Sequence, residues 1–362
     1  MTAAPALGAI DSGHLALVAR TLQIAPEIWQ ATLAAFEARL PPAPRGETAD
    51  DETDRCLLAL AAAYRPLSPH EAPPLPAAPP RPCAACARVA VVPLLTRRSP
   101  PPAGDLVYGR CDHCGHGALL SDPGDAASRA RYAGDDYFRV RDAAGAGYDG
   151  YADEEAYRVR KGARLIERLR RASATPVGTL LEIGSGFGYT RVAAERAGLR
   201  TAGVDVSAQA VREAARRHGL ATFHGTLAEA LSSPRSGVGR GAFDAVLYQF
   251  VLEHVVDPVG ELALAREALA PHGCLVLLVP SMEATEIAAF GASYRSFRAD
   301  HLHLFSRASL AAVLARAGFA VRELESHCNI HLLRGVLTAP ALDRLYASGR
   351  GPDLFVLAGR SP

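Results

Sequence analysis

The sequence predicts an α/β fold with a mostly parallel, buried sheet, and three observations carry that prediction. Residues 179–206 read as strand, glycine turn, helix and strand. The run 179–183 is apolar with a β-branched residue at each end, the pattern of a strand buried on both faces. Gly184, Gly186 and Gly188 follow, then a helical stretch through Val192, Ala193 and Ala194 that ends at Gly198. Residues 201–206 form the next strand, and Asp205 lies about twenty residues beyond the first glycine. The second observation is a further strand at 243–248, followed by a helix over 258–269, a Pro271-His272-Gly273 turn and a very apolar strand at 274–279. The third is size: 362 residues are enough for two or three domains and a sizeable core.

The glycine loop is a ligand site by its chemistry. In a βαβ nucleoside site the turn glycines let backbone approach the ligand, and the later acid accepts hydrogen bonds from ribose hydroxyls. A dinucleotide fingerprint spaces its glycines G-x-G-x-x-G. Here the third comes one residue early, at Gly188, and Tyr189 occupies the dinucleotide position. Glu182, two residues before Gly184, suits a ligand bearing an ammonium group and would repel a pyrophosphate. E-x-G-x-G-x-G with a later Asp resembles the first motif of class I S-adenosylmethionine (SAM)-dependent methyltransferases. The FDAV strand from Phe243, the LEHVVDP segment from Leu252, the helix and the PHG turn resemble that family in order and spacing.

This resemblance covers about residues 160–360. It implies a Rossmann-like domain with a seven-stranded, mostly parallel sheet. It also implies Glu182 near the methionine amino group, Gly184, Ser185, Gly186 and Gly188 beneath the sulfonium, and Asp205 on the ribose. Val206 and Gln249 complete the expected cofactor contacts, with Thr226, Leu227 and backbone groups near the adenine. Many relatives carry an Asp where Thr226 stands. His224 is expected to be structural or near the adenine.

Four of the seven cysteines form two pairs, Cys83-Ala-Ala-Cys86 and Cys111-Asp-His-Cys114, with 24 residues between them. Two C-x-x-C knuckles at such a separation have the spacing of a zinc ribbon, in which four thiolates close a tetrahedral site and leave the metal structural. Gly115 allows the tight turn that points amides at the sulfurs. His113 and His116 are spare donors that four cysteines make unnecessary. Cys56, Cys274 and Cys328 read as packed thiols.

A ribbon, then a tyrosine-rich segment (Tyr132, Tyr137, Phe138, Tyr148, Tyr151, Tyr157), then a SAM domain resembles a group of bacterial small-molecule methyltransferases that includes zinc-containing sugar C-methyltransferases. That resemblance implies catalytic roles for His254, for the Asp300-His301 pair and for a tyrosine, either Tyr148 or Tyr151. The family pair is usually Glu-His, so Asp300 is a departure with a shorter reach. His303 is a weaker candidate. Methyl transfer requires a positioned nucleophile and removal of its proton, work a histidine oriented by a carboxylate can do. The insertion 282–304, with Tyr294, Arg295 and Arg298, is expected to form a lid with the tyrosine-rich segment, and its arginines suit either an acidic or phosphorylated acceptor or a solvated surface.

The expected organisation is a helical module at 1–65, a proline-rich linker at 66–82, a zinc ribbon at 83–125, a tyrosine-rich lid with connecting helices at 126–170 and the SAM domain at 171–362. In the module, Asp11 or Ser12 caps a first helix, Pro26 opens a second, an acidic loop spans 47–54, and a third apolar run follows from Cys56. Trp29, Phe36 and Leu40 lie at helical spacing and read as a packing face. A net charge of +1 gives no field for nucleic acid or an anionic membrane, and no stretch reads as a spanning helix or signal peptide. The expected setting is cytoplasmic, with a small-molecule acceptor as partner and no nucleic acid or membrane; oligomeric state is not legible. Lys161 is the only lysine, which reads as genomic base composition. The alternatives are a nucleic-acid or protein methyltransferase gripping its substrate through the ribbon, and a SAM-binding scaffold or an oxidoreductase that has kept only the fold.

Overall fold

The computed structural model describes residues 12–44, 46–99, 104–121, 131–132, 134–142, 145–173, 175–327, 332–333 and 336–361. Asp11 and Cys328 lie outside them. Three helices come first: Ser12–Leu22, Pro26–Arg39 and Ala49–Tyr64. Pro26 occupies the first turn of the second helix, where its missing N–H costs nothing. The acidic stretch read as a loop is instead the start of the third helix. Thr48 and Asp51 form a reciprocal capping box, and Asp50, Asp51 and Glu52 lie in a first turn whose dipole favours negative charge.

These helices share a core with the far end of the chain. Trp29, Phe36 and Tyr64 pack with Phe290, Leu332, Leu333, Val336 and Leu342. Phe290 makes edge contacts with the rings of Trp29 and Tyr64 at 6.0 and 5.5 Å. Leu40 is only partly buried beside them. The proline-rich stretch is irregular from Ser68 to Pro80 apart from a single Glu71–Arg97 bridge, and it is pinned where the buried His70 reaches the carbonyls of Gln23 and Arg98.

Two sheets follow. Strands β1 (Arg81–Pro82), β2 (Val89–Arg97), β3 (Leu106–Cys111) and β4 (Gly117–Leu119) form an antiparallel meander. The main sheet contains β5 (Thr179–Ile183), β6 (Arg200–Asp205), β7 (Phe223–His224), β8 (Phe243–Gln249) and β9 (Leu269–Pro280). A short strand, β10 (His303–Leu304), leaves the insertion after β9 and pairs with β4, so it completes the first sheet rather than the second. Strands β11 (Phe319–His327) and β12 (Asp353–Arg360) return to the main sheet, whose order is β11-β12-β9-β8-β5-β6-β7.

β5 to β9 run parallel, while β12 is antiparallel to both β9 and β11, giving the Rossmann-like, mostly parallel seven-stranded arrangement. The predicted 271–273 turn lies inside β9. Phe243 pairs with Leu269 and Ala245 with Cys274, so the extra residues of β9 are absorbed as an irregularity in an otherwise continuous strand.

Candidate active site

The carboxyl ends of β5, β6 and β8 converge, and a cavity of about 740 Å³ opens above them, where open parallel sheets bind ligands. The loop after β5 forms its floor. Gly184, Gly186 and Gly188 hold φ values of +62°, +54° and +81°, a region side chains rarely enter. A Cβ at Gly184 would lie 2.4 Å from Val251, and one at Gly186 would lie 2.8 Å from the Tyr151 hydroxyl.

Asp205, at the end of β6, is fixed by two amides: Gly186 N donates to Oδ2 at 2.7 Å and Ser207 N to Oδ1 at 2.8 Å. Burial raises its pKa against the pull of those amides. Glu182 is buried in β5 on the cavity wall. Its Oε2 has no protein partner, and burial pushes the carboxyl up to about 8 despite Arg191. Glu182, Gly184, Ser185, Gly186, Asp205, Val206, Thr226, Leu227 and Gln249 all line the cavity; Gly188 lies just behind, against Leu220. The Thr226 hydroxyl is occupied in a capping box with Glu229, so this end of the site offers Leu227, Gly225 and backbone groups to a ligand. His224 reaches back to the Val206 carbonyl at 3.2 Å.

The opposite wall is aromatic. Tyr132, Tyr137, Phe138, Tyr148 and Tyr151 line it together with His254. Tyr151 stacks with Tyr189, and the Arg158 guanidinium lies 3.9 Å over its ring. His254 follows β8, and its Nδ1 faces the Asp300 carbonyl oxygen at 2.5 Å. A carbonyl only accepts, so Nδ1 carries the proton and Nε2 keeps the lone pair. Burial lowers the His254 pKa, with Asp300 opposing, so the ring is neutral at physiological pH.

The Asp300 carboxylate is turned away from this histidine, with Oδ2 4.0 Å from Nδ1. It takes two hydrogen bonds from Arg298, at 3.0 and 2.9 Å, and one from the Tyr137 hydroxyl at 3.0 Å. Burial would raise its pKa, but Arg298, His254 and His301 outweigh that and hold the carboxyl well below the usual range.

His301 packs edge-on against His254 at 4.9 Å and donates Nδ1–H to the Ser296 carbonyl at 2.9 Å. It stands behind His254 rather than among the residues that line the cavity. Glu253, fully buried with neither carboxylate oxygen partnered, lies within 4.8 Å of both histidines. His303 is drawn elsewhere, pairing its Nδ1 with Nε2 of His116 at 3.0 Å. The insertion contributes no described residue to the cavity wall, and its arginines are engaged: Arg298 by Asp300, and Arg295 by Asp353 at 2.6 Å. The sequence suits both to an acidic or phosphorylated acceptor or to a solvated surface; buried carboxylates within reach engage them instead. Arg158, Lys161, Thr190, Phe250 and Val251 line the cavity without having been singled out as site residues. Of these, only the solitary lysine left a signal in the sequence.

The four knuckle cysteines converge 83–114, away from the cavity. Their sulfurs lie within 4.8 Å of one another, with Cys83–Cys114 and Cys86–Cys111 each at 3.7 Å. Four thiolates at about 2.3 Å from one zinc ion stand roughly 3.8 Å apart, so the donor set fits a closed tetrahedral site. Amides of Ala85 and Cys86 point at Cys83, and those of His113 and Cys114 at Cys111. Gly115 turns the second knuckle at φ +71°, and Ala87 takes the same left-handed conformation in the first, at +61°. The ribbon is tied to the part of the chain that follows β9 by β4–β10 pairing and by the Ser306 hydroxyl, which donates to the Cys114 carbonyl.

Residues 154–324 match a family model described as a methyltransferase domain. The chain is 32% identical over 117 residues to a ubiquinone biosynthesis O-methyltransferase of Caulobacter sp. (strain K31), covering 32% of this chain and 46% of the relative. It is 36% identical over 101 residues to the protein of the same description from Cereibacter sphaeroides, covering 27% and 39%. The aligned part thus spans less than half the length of these relatives. A solved structure of an S-adenosylmethionine-dependent methyltransferase from Mesorhizobium loti superposes with a TM-score of 0.40 at 18% identity, covering 56% of this chain and all of that one. Among the described residues no helix is long and apolar enough to cross a membrane. The chain carries, over residues 154–324, a domain of the methyltransferase family.

Proposed function

We propose that the protein transfers a methyl group from SAM to a small-molecule acceptor held among the tyrosines. The observation that carries this reading is the single cavity wall on which a nucleoside-type floor meets an aromatic pocket at a neutral histidine. Glu182 would take the cofactor's ammonium group and Asp205 its ribose hydroxyls, while the positive-φ glycines keep the floor free of side chains. Bound there, SAM supplies a methyl group on a sulfonium, already a good leaving group.

The chain's own residues must then position the acceptor and remove its proton. His254 is suited to that work: its Nδ1–H is donated to the Asp300 carbonyl, so Nε2 is the basic nitrogen. His301 and the Tyr137–Asp300–Arg298 network hold the ring and its backbone partner in place. The ubiquinone-pathway O-methyltransferases it resembles favour a hydroxylated aromatic acceptor, and a nucleotide-linked or natural-product sugar is the second class to test. Zinc at Cys83, Cys86, Cys111 and Cys114 would be structural, since four thiolates leave no open position.

The test is incubation of the purified protein with methyl-labelled SAM and pools of phenols, amines and nucleotide sugars. Label transfer to a small molecule that disappears in His254→Ala supports the reading. Transfer to RNA, DNA or protein with no small-molecule product would overturn it.

A further inference from the structure

The turn that fixes the base is gripped from the ribbon. His254 owes its tautomer to the Asp300 carbonyl, and Asp300 sits in a turn closed by His301 N, which donates to the Arg298 carbonyl at 3.1 Å. Just beyond the turn, Leu302 N donates to the Glu253 carbonyl at 2.8 Å, next to His254. The ribbon holds the same few residues from the other side. Leu119 N donates to the Leu302 carbonyl at 3.0 Å, and β4 pairs with β10 directly after it. Tyr108, in the strand that ends at Cys111, reaches further in. Its hydroxyl donates to the Arg298 carbonyl at 2.6 Å, with the His301 carbonyl 3.4 Å away.

That hydroxyl needs a reason. Tyr108 is fully buried, its ring 4.7 Å from that of Phe297 in an apolar cluster with Leu119, Leu302 and Leu304. A phenylalanine would fill this space, and burying a phenol hydroxyl costs free energy unless it finds a partner. The partners it finds are the carbonyls on either side of Asp300. We infer that Tyr108 is a positioning residue for methyl transfer: it holds the 298–301 turn so that the Asp300 carbonyl keeps the His254 proton on Nδ1 and leaves Nε2 basic.

The chemistry of imidazole makes this placement matter. Which ring nitrogen carries the proton is set by the hydrogen bonds the ring makes. With the Asp300 carbonyl drawn away from Nδ1, the proton is free to sit on Nε2, and a ring in that form has no lone pair facing the acceptor. The neighbouring groups do not restore the preference. The Asp300 carboxylate is held by Arg298 and Tyr137, and His301 donates its own Nδ1–H to Ser296. Tyr108 itself is not among the residues that line the cavity, so it acts through the turn.

The inference rests on His254 as the base, and the experiment reads the two separately. Nitrogen-15 spectra of the histidine rings, with His254 assigned by its absence from His254→Gln, should show it protonated at Nδ1 alone in the wild-type protein. Tyr108→Phe should convert it to the Nε2–H form or a mixture. The same variant should cut label transfer from methyl-labelled SAM into the acceptor pools about tenfold, with S-adenosylhomocysteine affinity nearly unchanged. It should still fold, because the Arg298 carbonyl keeps its bond from His301 N. Tyr294→Phe is the matched control: an equally buried hydroxyl of the same insertion that reaches two carbonyls, Ser281 at 3.0 Å and Pro352 at 2.9 Å. It should leave the His254 spectrum and the transfer rate unchanged. An unaltered His254 spectrum in Tyr108→Phe, or the same alteration in Tyr294→Phe, overturns the role of Tyr108. An altered tautomer with wild-type transfer overturns His254 as the base, and the inference with it.

Discussion

Gly186 is where the floor of the cavity is most sensitive to a single atom. Its φ of +54° costs an L side chain about 1–2 kcal/mol. A Cβ would also stand 2.8 Å from the Tyr151 hydroxyl, closer than real contacts allow. Tyr151 cannot easily yield, because it packs among Phe138, Tyr148, Phe187 and Tyr189 with Arg158 over its ring. Gly186→Ala should therefore lower the melting temperature by a few degrees, from the backbone cost alone, and weaken S-adenosylhomocysteine tenfold or more by shifting Tyr151 and the loop. Adding Tyr151→Phe removes the hydroxyl and leaves Cζ as the nearest atom at 3.5 Å, an ordinary contact. The double variant should recover most of the affinity but keep the stability loss, since φ is unchanged. Calorimetry and thermal unfolding report the two effects separately. Wild-type affinity and melting in Gly186→Ala, or a double variant that binds no better than the single one, would refute the close-approach argument.

Elemental analysis should find about one zinc per chain, and chelation should increase hydrogen exchange in β4 and β10 together, because they are one ladder; wild-type stability in a four-serine variant would exclude a structural metal. His254→Ala should cut turnover about 100-fold or more with nearly unchanged S-adenosylhomocysteine affinity, and His301→Ala should cost less because it stands behind the wall. With the His254 pKa lowered, its basic form persists below the usual histidine range, so the acid limb of the kcat/KM profile should fall below about pH 6.5; a limb above that value counts against this base. Glu286 is buried with neither oxygen partnered, and burial raises its pKa from 4.5 to about 7. The unfolded chain ionises first, so stability is lost as pH rises from about 4.5 to 7, by roughly 3 kcal/mol at most. Glu286→Gln should remove that loss, raising the melting temperature at pH 8 but not at pH 4; equal melting of both proteins at pH 8 would refute it.

The parts of the site made by local sequence were legible before the structure. The glycine loop, Glu182 and Asp205 lie within 24 residues of one another, where strand, turn and helix signals are strongest, and two C-x-x-C knuckles carry their geometry in their spacing. Long-range partners were harder to read. Arg295 and Arg298 look free in sequence because Asp353 and the side-chain direction of Asp300 are set by the fold. His303 looks like its neighbour His301 until β4–β10 pairing turns it toward His116. The acidic stretch 47–54 looked like a loop because its polarity hides a capping box. Lys161 was visible from composition, but its place on the cavity wall depends on where the fold lays its helix, which packs closely at Gly162.

The core shared by the first helices and the last segment bears on how this chain is made. Glu52 accepts hydrogen bonds from the backbone and hydroxyl of Thr338, across a sequence separation of 286 residues. At translation rates of about 5–20 residues per second, Thr338 is synthesised roughly 15–60 s after Glu52. For most of that interval Trp29, Phe36 and Tyr64 are without Phe290, and for nearly all of it without the C-terminal leucines that cover them. The helices between Ser12 and Tyr64 are thus made early and covered late. Their exposed apolar face is a natural client for a ribosome-associated holdase, and late truncations of the chain should be degraded from their beginning.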